Sequence, residues 1–324
     1  MKLRAGELKD TVMEILNKRN VESADVIADH MVEAELRGHS SHGVQRLIPL
    51  VKGVELGTIR SKLEYKVLEE TKTSKLIDAM GSVGMVIWNK LIQEKFEDPI
   101  SIISTRNASH IGFLGYYTEK LARRGLVSIM FGNAEPAVVF PGSAKRVLST
   151  TPISISIPYD PPIVLDMALS ATSRGKIIEA NRKGLKLEPG LAVDENGNYT
   201  LDPDKALKGG ILPLGGVKGF YLMLLLELVT SFLSGCAVGP DVRGVLNTEN
   251  PPNKGEVLIV INPSYFAHNT ESIIKLRTIL NMELPGEHSQ KIKKLKLVEG
   301  VNIDDELWTN LINLRDKVPY FTSN

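Results

Sequence analysis

The chain has 324 residues, with 39 Lys and Arg against 38 Asp and Glu and a formal charge of +1. That balance gives no overall field to draw nucleic acid or an anionic membrane, so neither is an expected partner. Apolar content of 43% and charged content of 24% are those of an ordinary globular protein, and the single Cys236 excludes an intrachain disulfide framework and fits a cytoplasmic setting.

The opening residues, Met1 to Glu7, contain no apolar run of the kind a signal peptide needs. Residues 23–37 predict an amphipathic helix: Ser23 is a natural N-cap, Val26, Ile27, Met31 and Ala34 share a face, and Gly38 supplies the stop. A second helix is expected from Gly43 to about Val54, which makes Ser40-Ser41-His42-Gly43 the elbow of a helix pair. Short strands are predicted at 66–68 and 74–78, then a helix entered at 81–84 and running through Phe96. A strand at 99–105 leads to a loop, Asn107-Ala108-Ser109-His110-Ile111-Gly112, followed by a helix from Phe113 to Arg124 and a strand from Leu126 to Phe131. Strand, loop, helix and strand in that order point to an α/β layer.

Further strands are expected at 152–158 and 163–166, and the Gly-, Asp-, Asn- and Pro-rich segment 188–213 reads as loop. The apolar run from Phe220 to Leu233 carries Glu227, falls short of the roughly 20 residues a bilayer demands, and reads as a buried helix. A polar loop from Asn247 to Lys254 precedes a strong strand, Val257 to Ile261, and the remainder is helical: 263–281, 289–297, and a last helix capped by Asp304. Both chain ends are helical and can close on each other. The expected organisation is residues 1–62 and 263–324 forming a helical domain, with 63–262 forming a mixed-sheet domain that binds a cofactor.

Two of the six histidines share one setting, a Ser-His pair at a glycine-punctuated break. Histidine is the side chain whose ordinary pKa lies nearest working pH, which makes it the usual proton carrier. Arg46 follows His42 by one helical turn and suits a planar carboxylate. The plainer reading makes Ser40, Ser41 and Gly43 turn formers, and Ser109 the N-cap of a helix with His110 at its first position. Pro213-Leu214-Gly215-Gly216-Val217-Lys218-Gly219 opens a helix with free backbone N–H groups, which fits an anion or a tight turn equally. No strand is followed by a Gly-x-Gly-x-x-Gly fingerprint, so an ordinary Rossmann domain is not expected. Lys291, Lys293, Lys294 and Lys296 read as a solvated helix face, and no His, Cys, Asp and Glu spacing predicts a metal.

These residues carry a resemblance. Arg37-Gly38-His39-Ser40-Ser41-His42-Gly43 with Arg46 and Gly57, Asn107 to Gly112 with Tyr116 and Tyr117, Leu165-Asp166-Met167-Ala168-Leu169-Ser170 with Gly175-Lys176, Pro213 to Gly219, and Leu284-Pro285-Gly286-Glu287 lie in the order found in one family. The chain resembles the malate/L-lactate dehydrogenases of non-Rossmann type, whose relatives include sulfolactate, ureidoglycolate and diketogulonate enzymes and cyclic-imine reductases. The resemblance implies an α/β (α+β) fold with a mixed β-sheet, a homodimer, NAD or NADP, and a small 2-hydroxy/2-oxo acid partner. By the same resemblance His42 or His110 would be the proton donor and acceptor, and Ser41 and Arg46 would orient the substrate. Asp166, Met167, Ala168, Ser170, Lys218, Gly219, Gly286, Glu287 and His288 would line the cofactor site. Two departures stand out. Ser149-Thr150-Thr151-Pro152 replaces the family's usual Gly-Thr-Asn-Pro, and Gly142-Ser143 replaces a glycine pair. The expected function is reversible hydride transfer to or from C2 of a hydroxy acid. The alternatives are reduction of a cyclic imine acid, or a non-catalytic ligand-binding protein on the same fold.

Overall fold

The computed structural model describes residues 1–267 and 269–317. A two-residue strand β1 (Lys2–Leu3) precedes three helices, α1 (Ala5–Asn17), α2 (Ala24–Leu36) and α3 (Leu47–Glu55). The next stretch holds β2 (Lys66–Glu70), β3 (Ser74–Asp78), α4 (Gly84–Leu91), β4 (Ile100–Arg106), α5 (Gly115–Arg123) and β5 (Val127–Gly132). The middle contains β6 (Val138–Val139), β7 (Arg146–Leu148), β8 (Pro152–Ile157), β9 (Ile163–Ala168), α6 (Arg174–Arg182), β10 (Ala192–Val193), α7 (Pro203–Lys208) and β11 (Gly210–Ile211). The chain continues through α8 (Val217–Ser234), β12 (Gly255–Ile261), α9 (Thr270–Leu280), α10 (Glu287–Glu299), β13 (Val301–Asn302) and α11 (Asp305–Asp316).

Seven strands form the central sheet in the order β2-β3-β4-β12-β5-β8-β9. Only β3 and β4 run parallel; every other neighbouring pair is antiparallel. The sheet is therefore mixed, as expected of the fold class. Strand β12 lies at its centre, and its side chains alternate between the two faces. Leu258 and Val260 join Trp88, Ile103 and Tyr117 in the core beneath α4 and α5. Gly255 faces the other way, where an added Cβ would lie 2.6 Å from Ser234 Oγ at the end of α8. The four-stranded sheet β10-β11-β6-β7 lies beside α6 and α7.

The chain ends meet. β1 pairs antiparallel with β13, and the buried Leu311 of α11 shares a core with Leu8, Val12 and Ile15 of α1. Helix α10 docks on α2 through Lys293 to Glu33, 2.7 Å, and Lys296 Nζ to the Glu35 carbonyl, 2.7 Å. Lys293 and Lys296 are thus docking contacts, not the solvated face read from the sequence. Asp304 accepts the Leu307 N–H and caps α11 as expected, whereas Ser23 has φ +57° and makes no side-chain cap. The expected helix over 263–281 begins only at Thr270, and residue 268 lies outside the described residues.

Helix α8 departs most from expectation. It packs one side on the sheet but leaves Tyr221, Leu222, Leu225, Leu228, Val229 and Phe232 exposed, Phe232 at 89%. It is long and apolar enough to cross a membrane by length and composition alone. Among the residues it buries is a carboxylate: Glu227 Oε1 accepts the N–H of Ser149 at 2.6 Å and the Thr151 hydroxyl at 3.3 Å. Burial pushes the Glu227 carboxyl up.

That carboxyl braces the departure from the family pattern. Thr151 has φ +41°, a left-handed conformation that a β-branched side chain tolerates poorly and Asn tolerates well. Thr151→Asn is expected to stabilise the fold by ~1 kcal/mol, read as a higher midpoint of thermal unfolding. An equal or lower midpoint would show that the Thr151 backbone carries no cost.

Candidate active site

The first histidine stands in the elbow of a helix pair, as expected, and the second helix begins at Leu47 instead of Gly43. Helix α2 ends at Leu36, 3-10 turns span Ser40–His42 and Val44–Arg46, and α3 follows. Gly43 makes this path possible, because a Cβ there would lie 1.9 Å from Glu35 Oε1. The buried Glu35 takes the Val44 N–H at 3.0 Å and holds the elbow against the end of α2. Burial pushes the Glu35 carboxyl up to about 7, against the opposing pull of the Val44 N–H and Lys296. Within the elbow, Ser41 Oγ lies 3.0 Å from His42 Nδ1, and Arg46 Nε donates to the Ser41 carbonyl at 2.6 Å.

The second histidine sits in a loop fixed at every step. Asn107 donates its backbone N–H to the Lys254 carbonyl at 2.9 Å and its side-chain amide to Asp78 at 3.0 Å. Ser109 accepts the Gly84 N–H at 3.2 Å, so it caps α4 and not the helix after His110. Gly112 then donates its N–H to His110 Nδ1 at 2.7 Å, and Phe113 donates the next N–H to Nε2 of His30 at 3.0 Å. Gly112 must be glycine, since it has φ +78° and a Cβ would fall 1.8 Å from His30 Nε2. His30 is fully buried against Phe113, Tyr116 and Tyr117, and its Nδ1 has no hydrogen-bond partner among the described residues.

These two constructions bring the rings of His42 and His110 to 5.6 Å between centroids, nearly perpendicular at 88°. Burial and the neighbouring Arg46 and His39 lower His42 to about 3. Burial, Arg46, His42, Lys254 and His30 lower His110 well below the ordinary histidine range. Both rings are neutral at working pH. Burial also lowers Arg46 to about 10, with Glu135 opposing and Arg174 reinforcing the shift. No carboxylate among the described residues forms an ion pair with Arg46, so a cation faces two neutral imidazoles. An anion with an adjacent hydroxyl or carbonyl is the complement of that arrangement.

The other expected site residues fall around strand β9. Gly175 packs on Ser41, where a Cβ would lie 2.6 Å from the serine Cβ. Asp166 accepts the Gly115 N–H at 2.9 Å, so one oxygen already serves the start of α5, and burial raises its carboxyl to about 6. Met167 and Ala168 are half-buried, and Ser170 is buried, its hydroxyl donating to the Thr172 carbonyl at 2.7 Å. The far end of the strand joins the glycine-rich turn: Ala171 N–H donates to Leu212 and Leu214 N–H to Leu169. The near end joins the late turn, where Val164 N–H donates to Pro285 and Gly286 approaches Val164. Glu287 is engaged by Arg277 at 2.7 Å and by the Leu284 N–H at 3.1 Å, while His288 is exposed beside Glu283. No hydrogen bond or ion pair among the described residues joins Lys218, Gly219, Glu287 or His288 to the histidine pair.

The start of α8 fits the diphosphate of a dinucleotide. Its N-cap is Gly216, with no side-chain cap, so the first N–H groups lack intrahelical acceptors. Gly215 and Gly216 have φ +66° and +67° with nothing near a Cβ, and Gly219 approaches the Leu214 carbonyl too closely for a side chain. Lys218 is exposed beside these amides. Among the described residues no group of three or more His, Cys, Asp and Glu side chains is arranged to hold a metal ion.

Sequence reasoning missed His30, Glu35, Lys254 and Glu256. His30 and Glu35 lie on the buried side of α2 near Ile27, Met31 and Ala34. A charged or imidazole group on an apolar helix face was the available signal. Lys254 reads as the end of a polar loop yet is only 3% exposed.

A family model described as malate/L-lactate dehydrogenase matches residues 3–312. The malate/(S)-sulfolactate dehydrogenase of Methanothermus fervidus is 35% identical, over 96% of this chain and 96% of that protein. The solved sulfolactate dehydrogenase of Methanocaldococcus jannaschii is 33% identical with a TM-score of 0.88, over 98% of this chain and 97% of that one. The delta1-piperideine-2-carboxylate reductase of Pseudomonas syringae pvar. tomato is 26% identical with a TM-score of 0.86, over 97% of this chain and 99% of that one.

The Glu35 carboxyl yields a prediction with a definite sign. A carboxyl raised to about 7 in the fold favours folding while protonated and loses that contribution as pH rises from about 4.5 to 7. Glu35→Gln keeps an acceptor for Val44 and carries no charge. Its unfolding free energy from denaturant titration should match the wild type near pH 4.5 and exceed it at pH 8, by up to roughly 3 kcal/mol. Parallel free energies across that range would contradict the assignment.

Proposed function

This chain belongs to the malate/L-lactate dehydrogenase family, NAD(P)-dependent oxidoreductases of small hydroxy acids, and we propose that within it His42 moves the substrate proton while His110 holds the reacting oxygen. The observation that carries this reading is the pair of neutral imidazoles facing each other beside an unpaired guanidinium.

The nicotinamide, when bound, supplies the hydride acceptor or donor. Relatives are named for NAD(+) and for NADP(+), and either serves the account. Lys218 and the first amides of α8, including Gly219, would hold the diphosphate. Asp166, Met167, Ala168 and Ser170 of the β9 segment, with Gly286, Glu287 and His288, would wall the site. Arg46 binds the substrate carboxylate through the terminal nitrogens that Ser41 leaves free. That carboxylate offsets the cation that disfavours a charged imidazole, so substrate binding raises the proton affinity of His42. His42 then takes the C2 hydroxyl proton, its ring steadied by Ser41 at Nδ1. His110 differs: its Nδ1 accepts from Gly112, which leaves Nε2–H as a fixed donor to the same oxygen. A neutral imidazole used as a hydrogen-bond donor is an established catalytic device.

Arg174 supports a substrate with a second anionic group, since its charge acts on Arg46 and its turn packs on Ser41. A cyclic imine acid is the second reading, supported by the piperideine carboxylate reductase neighbour. It presents the same carboxylate with nitrogen in place of oxygen. The reading carries a cytoplasmic placement, suited to the buried free thiol of Cys236.

The bare stripe on α8 supports a homodimer. The helix is anchored across the sheet by its other side, and Leu222, Leu225, Val229 and Phe232 recur at helical spacing along the exposed one. A second copy related by a twofold axis can cover such a stripe with its own.

Absorbance of the reduced nicotinamide, followed with NADH and NADPH over a panel of 2-oxo acids and a cyclic imine acid, tests the chemistry. Sulfonated and dicarboxylic oxo acids are expected to turn over with the lowest KM. His42→Ala should lose roughly 10²–10⁴ in kcat. Wild-type kcat in that variant would end the assignment, and turnover of the imine alone would replace it with the second reading. For the dimer, sedimentation should give twice the chain mass, and Leu225→Glu with Phe232→Glu should give the monomer. A monomeric wild type would refute the stripe as an interface between copies.

A further inference from the structure

We infer that Glu119 is a positioning residue for hydride transfer, one carboxylate that fixes the turn walling the cofactor against the two segments carrying the histidines. The inference deepens the placement of cofactor and substrate proposed above and rests on it. Glu119 lies on α5, is 4% exposed, and takes donors from two other helices. Arg37 Nη1, at the end of α2, lies 2.5 Å from Oε2. Gln290 Nε2 of α10 lies 2.9 Å from Oε1 and 3.1 Å from Oε2. Arg123, one turn further along α5, closes the set at 2.6 Å from Oε1.

Each member of this cluster stands close to a residue of the proposed site. Gln290 donates its backbone N–H to the Gly286 carbonyl at 3.1 Å. Glu119 is one helical turn beyond Gly115, whose N–H is held by Asp166 at 2.9 Å. Arg37 opens the segment that leads through Gly38 and Ser41 to His42. Its guanidinium also stands 6.0 Å from the ring centre of Phe113, next to the Gly112 amide that binds His110. Three segments distant in the chain therefore meet on one side chain.

The way α10 docks makes that meeting count. None of its residues is fully buried, so polar contacts carry its position. Gln290, Lys293 and Lys296 recur at a helical spacing along one side. Lys293 reaches Glu33 at 2.7 Å and Lys296 reaches the Glu35 carbonyl at 2.7 Å, both on α2. Glu33 in turn accepts from Arg37 Nε at 2.6 Å. Hydrogen bonds are directional where apolar contact is not, so this row sets the rotation of α10 about its axis. With it goes the aim of Gly286 and Glu287 at the cofactor. A buried shared carboxylate is weak evidence of stability, because apolar residues of similar volume avoid the desolvation. What it supplies here is register, and a misplacement of about 1 Å between reacting groups can cost about 10² in rate.

The test is the affinity of the whole chain for oxamate, an unreactive 2-oxo acid mimic, with and without saturating NADH or NADPH, whichever binds more tightly. In the wild type the cofactor should tighten oxamate binding by roughly fivefold or more. Gln290→Leu leaves Glu119 paired with Arg37 and Arg123, so it should fold. It should cut that factor by about threefold or more, while oxamate affinity without cofactor changes by less than about twofold. Gln290→Lys keeps a donor to Glu119 and should restore the factor. Glu119→Gln, in which Arg37 keeps Glu33, is the second variant and should match Gln290→Leu. A purely structural role would lower the unfolding midpoint and leave the factor intact. An undiminished factor in folded Gln290→Leu and Glu119→Gln would overturn the inference, as would equal oxamate affinity with and without cofactor in the wild type. A chain that binds neither NADH nor NADPH would instead refute the proposed function, and the inference with it.

Discussion

Two consecutive backbone amides organise this molecule's chemistry. Gly112 and Phe113 donate to the histidines His110 and His30, one facing the site and one sealed in the core. Those bonds set the tautomers of both rings, since an imidazole nitrogen that accepts cannot also carry the proton. They also pin the loop between β4 and α5, which otherwise has no regular structure to hold it. The cost is visible in the Nδ1 of His30, a buried polar atom with no hydrogen-bond partner among the described residues.

Around that fixed ring the structure arranges charge sparingly. Arg46 has no carboxylate partner among the described residues, and a partly buried cation without one raises the affinity of the place for an anion. The same cation, with burial, drives both imidazoles neutral. In the mechanism we propose, a site that is basic only when an anion occupies it avoids holding a stray proton between turnovers. The carboxyls nearby are occupied with structure: Glu35 with the elbow, Asp166 with the start of α5, Glu119 with Arg37 and Gln290.

The parts of this arrangement legible in the sequence were those that depend on local chemistry. The Ser-His-Gly and Ser-His-Ile-Gly segments announced themselves because His rarely stands among turn formers without a use. The strands β3, β4, β5, β8, β9 and β12 followed from β-branched runs with turn residues between them. Helix α1 went unread although its buried Leu8, Val12, Ile15 and Leu16 have helical spacing. What could not be read was set by long-range contact. Nothing near Gly112 announces that residue 30 lies behind it, and nothing near Lys254 announces a core position. Helix α8 was misjudged because an apolar run has no marker for which side is covered within the chain. The Thr151 strain was legible only as a departure from a family pattern, and its conformation came from the structure.

The direct test of the account is a crystal structure of the chain with a nicotinamide cofactor and oxamate, an unreactive mimic of a 2-oxo acid. The account predicts the oxamate carboxylate paired with Arg46 and its amide oxygen between the ring nitrogens of His42 and His110. Oxamate bound with His42 and His110 on opposite sides of separate cavities, or with Arg46 uninvolved, would contradict it.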